Sequence, residues 1–148
     1  MSHVSKVAIE ITDLTALAKA AVALGGELVL GQKTFKWFGK WMNDYAADDA
    51  AYKQGIKPED YGKCEHAIRV PGAGYEIGVM KNPQGPGFVL VYDNWQRGQG
   101  LEKVVGKNCG KLVQQYGAEK AKAVMSKKGF RCQEKWVEGK LQVAFTKG

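Results

Sequence analysis

Cys64 and His66 stand two residues apart, a spacing that puts both side chains on one face of a β-strand, and thiolate and imidazole are both zinc ligands. With Cys109 and Cys132 they would complete a Cys3His tetrahedron. Zinc sites usually supply two ligand pairs, each two to four residues apart, and only one pair exists here. The expectation is therefore buried thiols beside a hydrogen-bonded histidine, with no metal and no other cofactor. As nucleophile and base the pair fails on geometry: same-face neighbours on a strand lie about 6 to 7 Å apart, and no third group orients the imidazole. Asp48-Asp49 and Glu59-Asp60 are adjacent carboxylates within a segment that reads as a solvated loop. Gly72-x-Gly74 and the Gly85, Gly87 run do not open a helix after a strand, so they are hairpin turns rather than phosphate cradles. No small-molecule substrate is evident, and the chain is expected not to be an enzyme.

Charge is the stronger chemical signal. Residues 1–100 carry eleven Lys plus Arg against eleven Asp plus Glu, while residues 101–148 carry eleven against four, so 0 and +7 make the net charge of +7. One end of the molecule should attract polyanions or acidic surfaces. Lys103, Lys107, Lys111, Lys120, Lys122, Lys127, Lys128 and Arg131, with Lys135, are the candidate phosphate partners, each contact releasing counterions and steepening the salt dependence of binding. With only Arg69, Arg97 and Arg131 among the cations, specific base readout by Arg forks is disfavoured. Phe35, Trp37, Phe38 and Trp41 are interleaved with Lys33, Lys36 and Lys40, the composition of a stacking platform for unpaired bases, although aromatics in a long loop more often fold it onto the core. Trp95, beside Gln96-Arg97-Gly98-Gln99-Gly100, is placed to protrude as a partner anchor.

These residues must be positioned by a small mixed fold. Val7, Ile9 and Ile11 alternate as a strand, Asp13 can N-cap a helix bearing Leu14, Leu17, Ala18, Ala21 and Leu24, and residues 27–30 form a second strand. Residues 31–63 read as a long aromatic-rich insertion, with a short helix near Asp48 to Tyr52. Three strands joined by Gly/Pro turns follow at 64–70, 75–81 and 88–92. A helix is predicted from Leu101 to about Tyr116, with Leu101, Val104, Val105, Cys109, Leu112 and Tyr116 inward and Lys103, Lys107 and Lys111 as a solvent stripe opposite. Gly106 and Gly110 suggest close approach of a neighbour or a break, and Gly117 separates a second helix, 118–128. A hairpin turning at Glu138-Gly139 closes the chain. The expected fold is α+β, a two-layer sandwich with helices on one face of a largely antiparallel sheet, ferredoxin-like in character.

At 148 residues, 45% hydrophobic and 25% charged, the chain suits one soluble domain, residues 1–148, with a core that needs no staples. No apolar run approaches the ~18 residues of a membrane span, no apolar leader follows Met1, and three widely spaced cysteines fit a reducing compartment. The expected location is a cytoplasm or plastid stroma, with no membrane partner.

Met1-Ser2-His3, the Leu14 to Gly25 helix, Tyr75-Glu76-Ile77-Gly78, Val91-Tyr92-Asp93-Asn94-Trp95, Gln115-Tyr116 and the Gly129-Phe130 hairpin with Glu138-Gly139 together resemble the family called hypothetical chloroplast reading frame thirty-five. This is a domain of unknown function found in cyanobacteria, plastids, other bacteria and phages. The resemblance spans nearly all residues, but the 33–63 segment is longer than in the plastid form, and any role of that segment is not inherited. It implies a small soluble accessory protein, with genes sometimes near AAA-class ATPases, and no catalytic residue.

The sequence thus points to a non-catalytic accessory protein whose basic C-terminal face binds RNA or single-stranded DNA without strong sequence preference. The alternative partner is an acidic protein, an AAA-class ATPase or a photosynthesis-related complex among the candidates, docked by a charge-steered module; a zinc-binding protein is a further alternative.

Overall fold

The opening strand, helix and strand form as their patterning predicts. A computed structural model describes residues 4–37, 56 and 60–148. Strand β1 (Val4–Ile11) leads into α1 (Leu14–Ala23), whose N-terminus is capped by Asp13 Oδ1 accepting from the Ala16 N–H at 2.9 Å. Gly25, at φ +89°, ends the helix: Gly26 N–H donates to Ala21 O and Gly25 N–H to Val22 O, the paired bonds of a Schellman motif that only a left-handed residue at this position allows.

β2 (Glu27–Leu30), β3 (His66–Arg69), β4 (Ile77–Lys81) and β5 (Phe88–Asp93) are joined in an antiparallel meander, and β1 pairs with β5, giving the sheet order β1-β5-β4-β3-β2. Four antiparallel steps make the two edge strands parallel, so α1 carries the chain from one sheet edge to the other. The α+β sandwich is as expected. Its ferredoxin-like character ends with the opening unit, because four consecutive strands, rather than two, separate α1 from the next helix.

The inner strand β5 is buried on both sides, which is why it reads as an unbroken apolar run rather than an alternation. Leu90 and Tyr92 point to the helical face, where Ile68, Ile77 and Val79 meet Leu17, Ala20 and Ala21 of α1. Val89 and Val91 point to the opposite face, where Phe35, Ile56 and Tyr61 lie against Val4, Ala67 and Cys64. The part of the insertion within the described residues is therefore a second cover for the sheet. The helix expected near Asp48 to Tyr52 lies outside the described residues.

After β5 the chain turns through Gln96–Gln99, a four-residue helical segment that winds left-handed, then forms α2 (Leu101–Val105), a 3-10 turn (Lys107–Cys109) and α3 (Gly110–Lys127). The single helix expected over 101–116 is broken at Gly106, at φ +85°, where a Cβ would come within 2.9 Å of the Lys111 nitrogen. Asn108 and Cys109 are also left-handed. The expected break at Gly117 does not occur: it stands exposed inside α3, with open space around it. Leu101, Val105, Cys109, Leu112 and Tyr116 are nevertheless all buried in the helical-face core. β6 (Phe130–Val137) and β7 (Lys140–Lys147) form a separate two-stranded ribbon against α3. Gln114 holds it there, accepting from Leu141 N–H at 2.9 Å and donating to Gly139 O at 3.1 Å.

Candidate polyanion-binding surface

Breaking the helix at Gly106 disperses the expected lysine stripe. Lys103 lies on α2, Lys107 on the 3-10 turn and Lys111 on α3, so no common helical face aligns them. Lys103 and Lys107 are exposed and, with Arg97, line a cleft of about 960 Å³ bounded also by Asn94, Glu102 and Asn108. Lys111 is half-buried, its ammonium 6.0 Å from the centre of the Trp136 ring.

The walls of this cleft are tied together from beneath. The fully buried Tyr92 hydroxyl donates to Glu102 Oε2 at 2.8 Å and accepts from Asn108 N–H at 3.0 Å. Burial, reinforced by the bond to Glu102, holds its ionisation well above the usual phenol range. Glu102 is thereby engaged with the core, while Arg97, Lys103 and Lys107 have no carboxylate partner among the described residues. Gln96, Arg97 and Gln99 all have positive φ, a conformation that disfavours ordinary residues by roughly 1–2 kcal/mol each. It is held by Gly74 N–H donating to Gln99 O at 2.7 Å and by Trp95 N–H donating to Asp93 Oδ1 at 2.9 Å.

The α3 lysines divide between two sides. At 100° per residue Lys111 and Lys122 share the side facing the ribbon, whereas Lys120 and Lys127 lie opposite. Lys122 is salt-bridged to Glu119 and to Glu134, each at 2.9 Å. Lys120 stands 5.5 Å from the Tyr116 ring centre, and Lys120, Lys127 and Lys128 flank a hollow near Asp13. Arg131 is exposed on β6, with Lys135 further along the same strand. The cations thus form three groups, around the cleft, along α3 and on the ribbon, instead of one face.

Packing takes Phe35 out of the expected aromatic platform. Phe35 is 3% exposed and sits over Gly78 so closely that no Cβ would fit there. Trp37 is half-buried, edge-on to Tyr61 at 5.8 Å. Trp41 and Phe38 lie outside the described residues. Small residues on β3 and β4, Ala67 and Gly78, open the space that Phe35 fills. Trp95 is half-buried at the start of the left-handed segment. Patterning missed Trp136, an exposed indole at 38%, and Arg97, whose only sequence signal was its Gly-flanked neighbourhood.

The zinc set is not brought together. Cys64 packs on one sheet face and Cys109 on the other, while Cys132 is on the ribbon. A bend at Glu65 interrupts the strand alternation, so His66 turns away from Cys64 toward Phe88, whose ring lies 5.5 Å off. Its Nδ1 accepts from Gly31 N–H at 2.9 Å. Cys64 donates to Gln32 O at 3.2 Å, and burial pushes its thiol up to about 11. Burial raises Cys109 further still. No group of three or more His, Cys, Asp or Glu able to hold a metal occurs among the described residues.

One buried carboxylate escaped the sequence altogether. Glu76 Oε1 accepts from Gln32 Nε2 and from Lys36 N–H, both at 3.0 Å, while Oε2 pairs with Arg69 Nε at 3.3 Å. So many donors satisfy the charge and fasten the 32–36 segment to the sheet; the cavity beside it measures about 560 Å³.

No helix among the described residues is long and apolar enough to cross a membrane. Fold and composition define an α+β protein with an excess of cations in its C-terminal third. No family model, no curated protein and no solved structure matches the chain.

Proposed function

We propose that this protein binds nucleic acid through its phosphates, without strong sequence preference, as a non-catalytic accessory factor. One observation carries this reading: of the eleven cations between residues 101 and 148, only Lys122 is salt-bridged to a carboxylate among the described residues. A surface left this uncompensated repels itself and is stabilised by a polyanion, which supplies many charges at once and releases its counterions. Lys103, Lys107 and Arg97 in the cleft, with Lys120, Lys127, Lys128, Arg131 and Lys135, would make the contacts. The accessory role follows the resemblance to the reading frame thirty-five family. Stacking on Phe35 has no part in this mechanism, since that ring is enclosed.

Fluorescence anisotropy of labelled 20-mers between about 50 and 500 mM salt tests the reading. Affinity should fall with a log–log slope near −0.9 per phosphate neutralised on duplex DNA, and Lys103→Glu with Lys107→Glu should flatten it by about two. An absence of binding, or binding without salt dependence, overturns it. So does a preference for poly-glutamate, which would assign the cations to an acidic protein partner.

A further inference from the structure

The β6–β7 ribbon has two chemically distinct faces. Its register pairs Arg131 with Thr146, Gln133 with Ala144, Lys135 with Gln142 and Val137 with Lys140. These eight residues share the outward face, and all are exposed. Three are cations, three more carry hydrogen-bonding side chains, and none is a carboxylate. The other face packs on α3. Glu134, the one acidic residue within the two strands, is on that inner face, where Lys122 Nζ neutralises it at 2.9 Å and Gln115 Nε2 lies 3.4 Å away. Glu138 is confined to the turn.

We infer that this outward face enters the major groove of double-stranded DNA, an inference that rests on the nucleic-acid reading above and gives it a substrate class. Eight residues per strand span about 27 Å, and two strands about 4.8 Å apart form a ribbon that a groove about 12 Å wide and 8.5 Å deep admits. Gln133 and Gln142 can each offer donor and acceptor to base edges, while Lys135 and Lys140 near the turn and Arg131 about 14 Å along the strand reach phosphates. Duplex DNA is favoured over the other nucleic acids by what the face carries and lacks. It has no aromatic ring on which an unpaired base could stack, so single strands gain nothing specific from it. Duplex RNA offers a deep, narrow major groove that side chains do not read. The ribbon is also backed along its length by α3 and clamped at its turn by Gln114, which limits the ordering lost on docking.

The test uses the full chain, a 20-bp duplex and the corresponding single strand. Lys135→Glu with Lys140→Glu, and separately Gln133→Ala with Gln142→Ala, alter only exposed positions; unchanged circular dichroism and urea midpoints establish that each variant is folded. The charge variant should lose at least about tenfold in duplex affinity and several-fold less than that in single-strand affinity, because Lys135 is one of many phosphate partners on a single strand but lies in the groove-entering face on a duplex. Guanine N7, a major-groove atom, should be protected from dimethyl sulfate by the parent protein and unprotected with either variant. Equal losses on duplex and single strand, or unprotected N7 despite tight duplex binding, overturn the groove assignment while leaving the phosphate-binding proposal standing. A concentration-dependent dimer that these variants dissociate would make the face a self-contact and overturn it likewise. Failure of the parent protein to bind any nucleic acid overturns both.

Discussion

Lys122 on α3 meets Glu134 on β6 at 2.9 Å, and the same ammonium meets Glu119 at the same distance. The three side chains are 26%, 30% and 10% exposed, so the cluster is shielded enough for its charges to count. It fastens the ribbon to the helix and removes from the ribbon's outer face the one carboxylate that its strands carry.

Replacing Lys122 by Met leaves two carboxylates close together beside Gln115, and the protein should lose about 1–3 kcal/mol by urea denaturation at pH 7. Burial draws the Lys122 ionisation down, but hydrogen bonds to Glu134 and Glu119 outweigh it and hold it above the ordinary 10.5. Stabilisation by a raised lysine is complete below its unfolded value and lost as pH climbs through the folded one. The gap between parent and variant should therefore be constant from pH 7 to 10 and narrow above 10.5. A gap that widens there would contradict the geometry.

The Tyr116 hydroxyl accepts from the N–H groups of Thr12 at 3.0 Å and Asp13 at 3.1 Å, joining α3 to the entry of α1. Tyr116→Phe should cost about 1–3 kcal/mol, because two backbone donors lose their acceptor in a partly buried place. Equilibrium unfolding measures this, and a cost below about 0.5 kcal/mol would argue that water replaces the hydroxyl.

Phe35→Ala empties a site enclosed by Gly78 and Ala67 and should destabilise by about 3–5 kcal/mol, while nucleic-acid affinity under folding conditions stays within a factor of two. A variant that keeps its stability and loses affinity would return Phe35 to the binding surface. Gly78→Ala should be destabilising as well, since its Cβ would collide with the Phe35 ring.

Alkaline pH should weaken the fold from about pH 9 upward. Burial raises the thiols of Cys64 and Cys109 above their ordinary 9.0, and raises Tyr92 above 10.0. A raised folded value means the unfolded chain releases its protons first, so stability declines as pH passes the ordinary value and continues to decline up to the folded one. Urea midpoints between pH 7 and 11 check this, and Cys109→Ala should show a shallower decline than the parent.

Much of the fold was legible in local pattern. The Asp13 cap, the alternation of Val7, Ile9 and Ile11 and the Glu138-Gly139 turn each depend on residues within a few positions of one another. The apolar spacing of Leu101, Val105, Cys109, Leu112 and Tyr116 identified buried residues correctly even though the backbone carrying them is not one helix. Gly106 signalled a disturbance there, yet nothing local distinguished it from Gly117, which the helix simply absorbs. The surface was less legible, because the same lysine spacing describes one stripe on a straight helix and several scattered sites on a broken one.

By itself, then, the chain's order of residues determined the elements and the excess of cations in the final third, since both follow from composition and from near neighbours. Tertiary structure alone decided which aromatics were enclosed, because the hollow for Phe35 is made by Ala67 and Gly78, more than thirty residues away in the chain. It also decided which charges remain free to act. Glu134 reads as one more surface carboxylate until α3 packs beside it and Lys122 takes up its charge, leaving the opposite face of the ribbon wholly without anions.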